Sequence, residues 1–262
     1  SNLTDYKPCS GFFTDTLHGL IPANLPWVSL YWIFAAVCLF MVFMMLAIRL
    51  PEVKLKEDEK AEGWSVTGML LKNRMVVLYF IGIFAYVGTE QGLANWMSQF
   101  LHEYHQFDPH TTGAAAVSSF WGLLTLGCLL GLLLLKFFDS RRILILFTTL
   151  AIVCFSVALN GSAGVSLVAF PLCGFFLSVM WSIIFSLALN SLDKHHGSFS
   201  GILCTGIIGG AVVPLIIGSL GDLFSLRSGM LFLYITMAFI LSIGFWSKPL
   251  INNKTIQLKN EN

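Results

Sequence analysis

The chain has 262 residues, of which 56% are hydrophobic and only 11% are charged, and its formal net charge is +1. A soluble domain of this length would carry about a quarter charged residues, so the composition indicates a membrane protein. A net charge this close to zero gives no reason to expect a nucleic-acid partner.

Seven apolar stretches are long enough, or nearly so, to cross a bilayer as helices, which takes roughly 20 residues each. The fourth and the seventh are the shortest, with 17 residues each. The sequence therefore predicts an all-α membrane protein with seven transmembrane helices. The predicted spans are residues 27–49, 75–101, 113–135, 143–159, 164–190, 199–220 and 230–246.

The basic residues lie on alternating loops around these spans. If the loop at residues 50–74 is cytoplasmic, 13 of the 15 Lys and Arg side chains lie inside, and only Lys7 and Arg227 lie outside. The positive-inside rule then places the N-terminus of the chain outside and the C-terminus in the cytoplasm. We therefore expect a multi-pass protein of the cell membrane.

The polar segments between the spans suggest the domain organisation. Residues 1–26 are polar and lack both an initiator Met and the pattern of a signal peptide, so we expect an extracytoplasmic loop of a protein that begins further upstream. Residues 50–74 contain the charge-rich stretch and form the predicted cytoplasmic linker between the first span and the six-helix part at residues 75–247. Residues 248–262 are the predicted cytoplasmic tail.

Glu90 is the one acidic residue, of 14, that falls inside a predicted span. A charged side chain in the membrane costs on the order of 3 kcal/mol, so Glu90 is expected to face a water-filled cavity or to be protonated. At 1.5 Å per residue it lies roughly 24 Å along its helix from Arg74, in the outer half of the membrane. The alternative is a structural carboxylate that is hydrogen-bonded to a neighbouring helix.

Polar and aromatic residues surround Glu90 at helical spacing. Tyr86 precedes it by four residues, Gln91 and Asn95 are also four apart, and Trp96 follows. Paired donors and acceptors beside an aromatic ring suit a ligand rich in hydroxyl groups, such as a sugar. Further candidates for the same cavity are Trp121, Trp181, Ser186 and Asn190.

Some of these residues have simpler explanations. A Trp in a span is often a packing residue or an interface anchor, and Asn190 could cap the end of its helix. Two pairs of glycines, Gly127 with Gly131 and Gly206 with Gly210, have the small-xxx-small spacing that allows close helix packing.

No metal, cofactor or hydrolytic site is expected. His102, Glu103, His105 and His110 resemble a metal cluster only loosely, because zinc-protease chemistry requires two histidines four apart on a helix with a Glu between them. We interpret them as solvated loop residues. The sequence contains no phosphate-binding glycine loop, nucleophile elbow or paired carboxylates, so an enzyme is not predicted.

Four segments in order resemble the fucose-galactose-glucose:proton symporter family of the major facilitator superfamily. They are residues 86–96 with Tyr-Val-Gly, Glu90 and Trp96, residues 120–122 (Phe-Trp-Gly), residues 184–187 (Ile-Phe-Ser-Leu) and residues 197–222, which are rich in glycine around Pro214. The resemblance implies that the chain is helix six plus the C-terminal six-helix bundle of a twelve-helix fold.

The resemblance also implies a function. A secondary active transporter would carry a fucose-, glucose- or galactose-like sugar together with a proton, by alternating access between two six-helix halves. The missing N-terminal half is then a partner of this chain, as are the sugar and the lipid bilayer, and the proton is the coupling ion. The proton-carrying acids are expected in that missing half.

The resemblance assigns roles to particular residues. The expected sugar contacts are Glu90, Gln91, Asn95 and Trp96, followed by Trp121, Trp181 and Asn190. The loop with Asp139, Arg141 and Arg142 resembles the superfamily's acidic-basic motif and implies a gating role. The chain departs from many members at Cys128, where they carry Arg, and at Ser182, where they carry Pro. These departures bear on the identity of the sugar and on local helix geometry.

Three other functions remain open from the residues alone. Seven spans with an outside N-terminus also fit a seven-helix receptor. Such a receptor would be expected to have an extracellular Cys pair and an Asn-Pro-x-x-Tyr-like last span, and the sequence has neither. A retinal protein would need a Lys within the last span, and Lys248 lies at its end. A sugar sensor with the same fold but without transport is the third possibility.

Overall fold

The computed structural model describes residues 28–48 and 64–250, with side chains from residue 31 in the first stretch and residue 66 in the second. Every regular element in these stretches is helical. The chain divides into two units, residues 1–54 and 55–262. The expected extracytoplasmic loop, and most of the linker and the tail, lie outside the described residues.

The first unit contributes helix α1, Val28–Ala47, whose 20 residues include no charged side chain. Its apolar residues are distributed around the whole circumference and not along one stripe. A helix that is apolar all round is typical of a membrane span. The ends of the predicted first span, Trp27 and Arg49, lie outside the described residues.

The second unit is a bundle of ten α-helices within residues 64–250, together with a π-helical turn, Pro109–Gly113, and a 3₁₀ turn, Gly206–Ile208. The helices are α2 (Trp64–Leu70), α3 (Arg74–His105), α4 (Ala114–Phe137), α5 (Ser140–Asn160), α6 (Ala163–Leu177), α7 (Met180–Leu189), α8 (His196–Thr205), α9 (Gly209–Leu223), α10 (Leu226–Met230) and α11 (Phe232–Trp246).

Six helical segments in the described part of the chain are long and apolar enough to cross a membrane. They agree with the six spans expected between residues 75 and 246, one for one. The segments are Arg74–His105, Pro109–Phe137, Ser140–Asn160, Ala163–Leu189, His196–Leu223 and Leu226–Trp246.

The spans differ from the prediction at their ends and in their continuity. The fourth is not the 17-residue helix expected but has 21 residues, because Asp139 caps α5 by accepting a hydrogen bond from the Arg141 backbone N–H at 2.9 Å. The fifth is interrupted between α6 and α7, at Ser178 and Val179. Ser182, one of the two expected departures from the resembled family, lies inside the regular part of α7.

Helix α3 is the most extensively packed element. Tyr79, Leu93 and Phe100 on its inner side are fully buried. Its contact with α9 is made through glycines: a β-carbon at Gly92 would lie 2.9 Å from the Ile217 side chain. Small residues at a helix interface allow a close approach of this kind.

The basic residues collect at one end of the second unit. The helices alternate in direction, so the start of α3 and the ends of α4, α7 and α11 share one face. Seven of the eight Lys and Arg residues between 64 and 250 lie at this face, which we call the basic face, and Arg227 lies at the opposite end. This asymmetry is what the positive-inside rule uses to orient a membrane protein.

Candidate functional site

Glu90 lies near the middle of α3 and is half-buried. The hydroxyl group of Tyr86, one turn earlier, donates a hydrogen bond of 2.5 Å to Glu90 Oε2. The amide of Gln91 contacts Glu90 Oε1 at 3.5 Å. The carboxylate is therefore held by neutral donors on its own helix, and Tyr86, which is 3% exposed, fixes its position.

Two other helices approach this pair. The thiol of Cys128 on α4 is within electrostatic reach of Glu90 and Tyr86, and it donates to the Ser178 carbonyl at 3.3 Å. On α9, Gly210 packs beside Gln91, since a β-carbon there would lie 3.0 Å from Gln91 Cγ. The site is thus formed by α3, α4 and α9.

The backbone of α9 adds an acceptor at this place. Pro214 lies inside α9 and has no N–H group, so the carbonyl of Gly210 lacks its usual helical donor. This carbonyl lies in the same turn that packs against Gln91. A carboxylate, a phenol, an amide and a backbone carbonyl together offer the mixture of donors and acceptors that hydroxyl groups require.

Trp96, expected as an aromatic platform, is half-buried between α3 and α9. Its indole N–H donates to the Pro214 carbonyl at 3.0 Å, and its ring packs against Gly218. The donor of Trp96 is therefore used within the protein. Asn95, in contrast, is exposed.

The other candidates, Trp121, Trp181 and Asn190, lie in different surroundings. Trp121 on α4 is 38% exposed and lies two turns before Cys128, on the same stripe of the helix. Trp181 stacks on Phe185 with 4.9 Å between ring centroids. Asn190 ends α7 at the basic face, as a capping role would require, and its carbonyl accepts from the Leu250 N–H at 2.8 Å.

The predicted gating loop links two helix ends at the basic face. Arg141 forms an ion pair with Asp139 at 3.5 Å and donates to the Ser247 carbonyl after α11 at 3.3 Å. Arg142 is exposed. The loop between α4 and α5 is therefore tied to the end of the last helix within this unit.

The histidines at the opposite end make local contacts. The ring Nδ1 of His102 is 2.9 Å from the Phe107 carbonyl, and Nε2 of His105 is 3.1 Å from Ser166 Oγ. No group of three metal-ligating side chains occurs in the described ranges. These contacts give the histidines a structural role at the end of α3.

The sequence alone does not indicate that Cys128 or the Gly210 carbonyl lies beside Glu90. Nothing in the spacing of Cys128 places it near Glu90, which is on another helix. The Gly210 carbonyl could have been found, because Pro214 follows it by four residues. The buried hydrogen bond between the Thr89 and Thr236 hydroxyl groups, 2.7 Å long, likewise has no signal in the sequence.

The combination of six spanning helices, close glycine contacts and a carboxylate in mid-membrane defines a polytopic membrane protein with an internal polar site. Residues 8–207 match the family described as the Major Facilitator Superfamily. Since this match covers more than half of the sequence, the chain belongs to the Major Facilitator Superfamily. The resemblance seen in the sequence is confirmed.

Similar proteins include named sugar transporters. The chain is 33% identical over 215 residues to the glucose/galactose transporter of Brucella abortus biovar 1 (strain 9-941). This alignment covers 80% of this chain and 52% of the relative. The chain is 22% identical over 198 residues to the L-fucose-proton symporter of Escherichia coli (strain K12), covering 73% and 44%. The chain thus spans about half the length of the relatives it matches.

The fold is also found in a solved structure. The crystal structure of the Major Facilitator Superfamily transporter FucP in the outward conformation aligns with a TM-score of 0.71 and 19% identity. The alignment covers 92% of this chain and 61% of that one. The helical architecture expected from the sequence is therefore confirmed.

Proposed function

We propose that this chain forms the C-terminal half, with the helix before it, of a secondary active transporter that carries a neutral sugar together with a proton. The observation that carries the proposal is the Glu90 carboxylate, held in mid-span by Tyr86 and Gln91. A neutral sugar offers hydroxyl groups that donate to a carboxylate and accept from an amide. The names of the relatives, which include glucose/galactose and L-fucose transporters, support this substrate class.

The proposed mechanism is alternating access. The missing N-terminal half would face this bundle across the sugar and would supply the acids that bind the coupling proton. In this unit Glu90, Gln91 and Asn95 contact the sugar, and Trp121 on α4 provides an aromatic surface. Rigid movement of one half against the other then exposes the site to each side in turn.

The proposed orientation follows from charge. With seven of eight basic residues between 64 and 250 at one face, that face lies in the cytoplasm. The chain then starts outside and ends inside. The α4–α5 loop with Asp139, Arg141 and Arg142 lies at the cytoplasmic face, where it would hold helix ends together in one of the access states.

Counterflow of radiolabelled sugar tests the function. The full-length protein is reconstituted in proteoliposomes that are loaded with glucose, galactose or fucose. Uptake of label driven by exchange supports transport, whereas binding without exchange indicates a sensor. Net sugar uptake is also measured after transient acidification of the outside medium. An increase on acidification indicates proton coupling rather than sodium coupling.

A variant pair tests the site. We expect Glu90→Gln to lower sugar binding or exchange about tenfold or more, because the charged acceptor for hydroxyl groups is lost. Glu103→Gln is the matched control, since Glu103 is exposed in the last turn of the same helix. Equal transport by both variants at equal expression would remove Glu90 from the site.

A further inference from the structure

A cavity whose lining does not include Glu90 opens at the basic face. It has a volume of about 510 Å³, within the range of roughly 300–1,000 Å³ that is typical of small-molecule sites. It is formed by the junction between α2 and α3 and by the loop between α7 and α8. The lining residues are Met69, Leu70, Lys72, Asn73, Leu192, Asp193, Lys194 and His195.

The polar side of this cavity carries two ammonium groups. Lys72 and Lys194 come from loops more than 100 residues apart, and both are exposed. Within residues 64–250 neither forms an ion pair with a carboxylate. The Asn73 side-chain oxygen caps α3 by accepting from the Met75 N–H at 2.9 Å, and so the two amide N–H donors of Asn73 remain for a ligand.

The other side of the cavity is apolar and open. Met69 in the lining is 53% exposed, and Leu71, which directly precedes Lys72 next to the cavity, is 50% exposed. Leu70 between them is buried and anchors α2 to the bundle. Exposed apolar side chains beside lysines at a helix end are typical of the headgroup region of a bilayer.

Asp193 adds a feature that a site for a simple anion would not need. It is exposed on the rim of the same cavity, between Leu192 and Lys194. A carboxylate opposes the binding of a lone phosphate, but it accepts hydrogen bonds from a hydroxyl or ammonium group. Two lysines with one aspartate therefore match a ligand that carries a phosphodiester and, a few atoms away, a donor group.

We propose that this cavity binds the headgroup of a phospholipid from the leaflet at the basic face, and that the lipid is one whose headgroup ends in a hydroxyl or a primary ammonium group. Lys72, Lys194 and the Asn73 amide bind the phosphodiester, and Asp193 accepts from the terminal donor. Met69 and Leu71 contact the glycerol and the first methylene groups. The site does not depend on the sugar or on transport.

Lipid binding to the purified, delipidated full-length protein tests this site. The probes are phosphatidylglycerol, phosphatidylethanolamine and phosphatidylcholine with identical acyl chains, and inorganic phosphate alone. Binding is counted by native mass spectrometry and checked by the shift of the unfolding temperature in detergent. We expect the first two lipids to bind more tightly than phosphatidylcholine, whose choline group has no N–H or O–H donor.

Two sets of variants locate the site. Lys72→Gln with Lys194→Gln should weaken the binding of all three lipids about tenfold or more. The matched control is Lys136→Gln with Lys248→Gln, which removes two basic residues of the same face that do not line the cavity. Asp193→Ala, which removes the acceptor, should abolish the preference over phosphatidylcholine while binding is retained.

Several outcomes would overturn the proposal. Equal lipid binding by the two double variants would mean that the attraction is a general property of the basic face. Inorganic phosphate that displaces the lipid or stabilises the protein equally would identify the ligand as a free anion. The unfolding temperature without lipid shows whether each variant is folded, and so loss of binding is not confused with loss of structure.

Discussion

Gly209 of α9 lies directly against the backbone of Phe84 on α3, so closely that a β-carbon at Gly209 would overlap the Phe84 carbonyl oxygen. On the facing helix, Gly88 is in the corresponding position, because a β-carbon there would meet the side chain of Val213 and lie 3.1 Å from the Gly209 carbonyl. The two backbones are therefore in contact beside the turn that holds Glu90. This contact fixes the distance between the two helices that form the site.

Replacing Gly209 by Ala is expected to destabilise the protein. The added methyl group must push α9 away from α3, and overpacking of this kind costs about 1–3 kcal/mol. The measurement is the unfolding temperature of the full-length protein in detergent. Gly201→Ala is the control, since nothing lies within 4 Å of the added β-carbon. Identical unfolding temperatures for the two variants would contradict the close contact.

Tyr86→Phe is expected to weaken sugar binding without unfolding the protein. The ring keeps its packing, but Glu90 loses the donor that positions it, which corresponds to about 1.5–3 kcal/mol for a hydrogen bond to a charged group. Binding is measured as the sugar Kd by calorimetry or scintillation proximity. Tyr234→Phe removes a hydroxyl that pairs with Ser156 at 2.8 Å, and it should leave the sugar Kd unchanged.

The two tryptophans near the site are expected to behave differently. Trp96→Phe removes the hydrogen bond to Pro214 and should lower stability by about 0.5–1.5 kcal/mol. Trp121→Phe changes a ring that is 38% exposed, and it should alter the sugar Kd more than the unfolding temperature. Both quantities are measured on both variants. A larger change in Kd for Trp96→Phe would make Trp96 a direct sugar contact, as the family resemblance implies.

Asp108 is expected to stabilise the turn before α4 in a way that does not vary near neutral pH. Its side chain accepts from the His110 backbone N–H at 2.8 Å, and this hydrogen bond holds the pKa of Asp108 below its ordinary value. A lowered pKa in the folded state gives stability that is present above the ordinary pKa of about 3.9 and is lost as the pH falls through the folded value.

The corresponding measurement compares Asp108→Ala with the parent protein between pH 5.5 and 8. The decrease in unfolding temperature should be constant over this range, because the carboxylate is ionised in both the folded and the unfolded state. Asp108→Asn should retain most of the stability, since Asn is an equally good capping residue. A decrease that grows or vanishes within this range would show that another group titrates with the turn.

Part of the candidate site could be read from the sequence because it lies on one helix. Tyr86, Glu90, Gln91 and Asn95 have helical spacing, and helical geometry alone brings Tyr86 to Glu90. Their roles in sugar binding stay predictions. What the spacing could not indicate is which residues on other helices approach them.

The remaining parts depend on contacts between distant segments. Cys128 is 38 positions after Glu90, and the cavity with Lys72 and Lys194 joins two loops that are far apart in the chain. Trp96 has the aromatic ring that a ligand platform needs, yet its indole N–H donates to the carbonyl of Pro214, which is 118 residues away. No local pattern distinguishes a tryptophan that packs on a glycine from one that faces a cavity.

The sequence by itself determined the six membrane-spanning segments of the described part, the end of the bundle at which the basic residues lie, and the single acid in mid-span. These properties follow from the free energy of transferring side chains between water and lipid. That free energy is a sum over individual residues, so it can be read from the composition and the order of the sequence. The tertiary structure alone decided the neighbours of Glu90, the packing of Trp96 and the existence of the lysine-lined cavity. Those depend on pairs of residues whose distance is set only when the helices pack, and at Gly209 that distance is set by the absence of a single β-carbon.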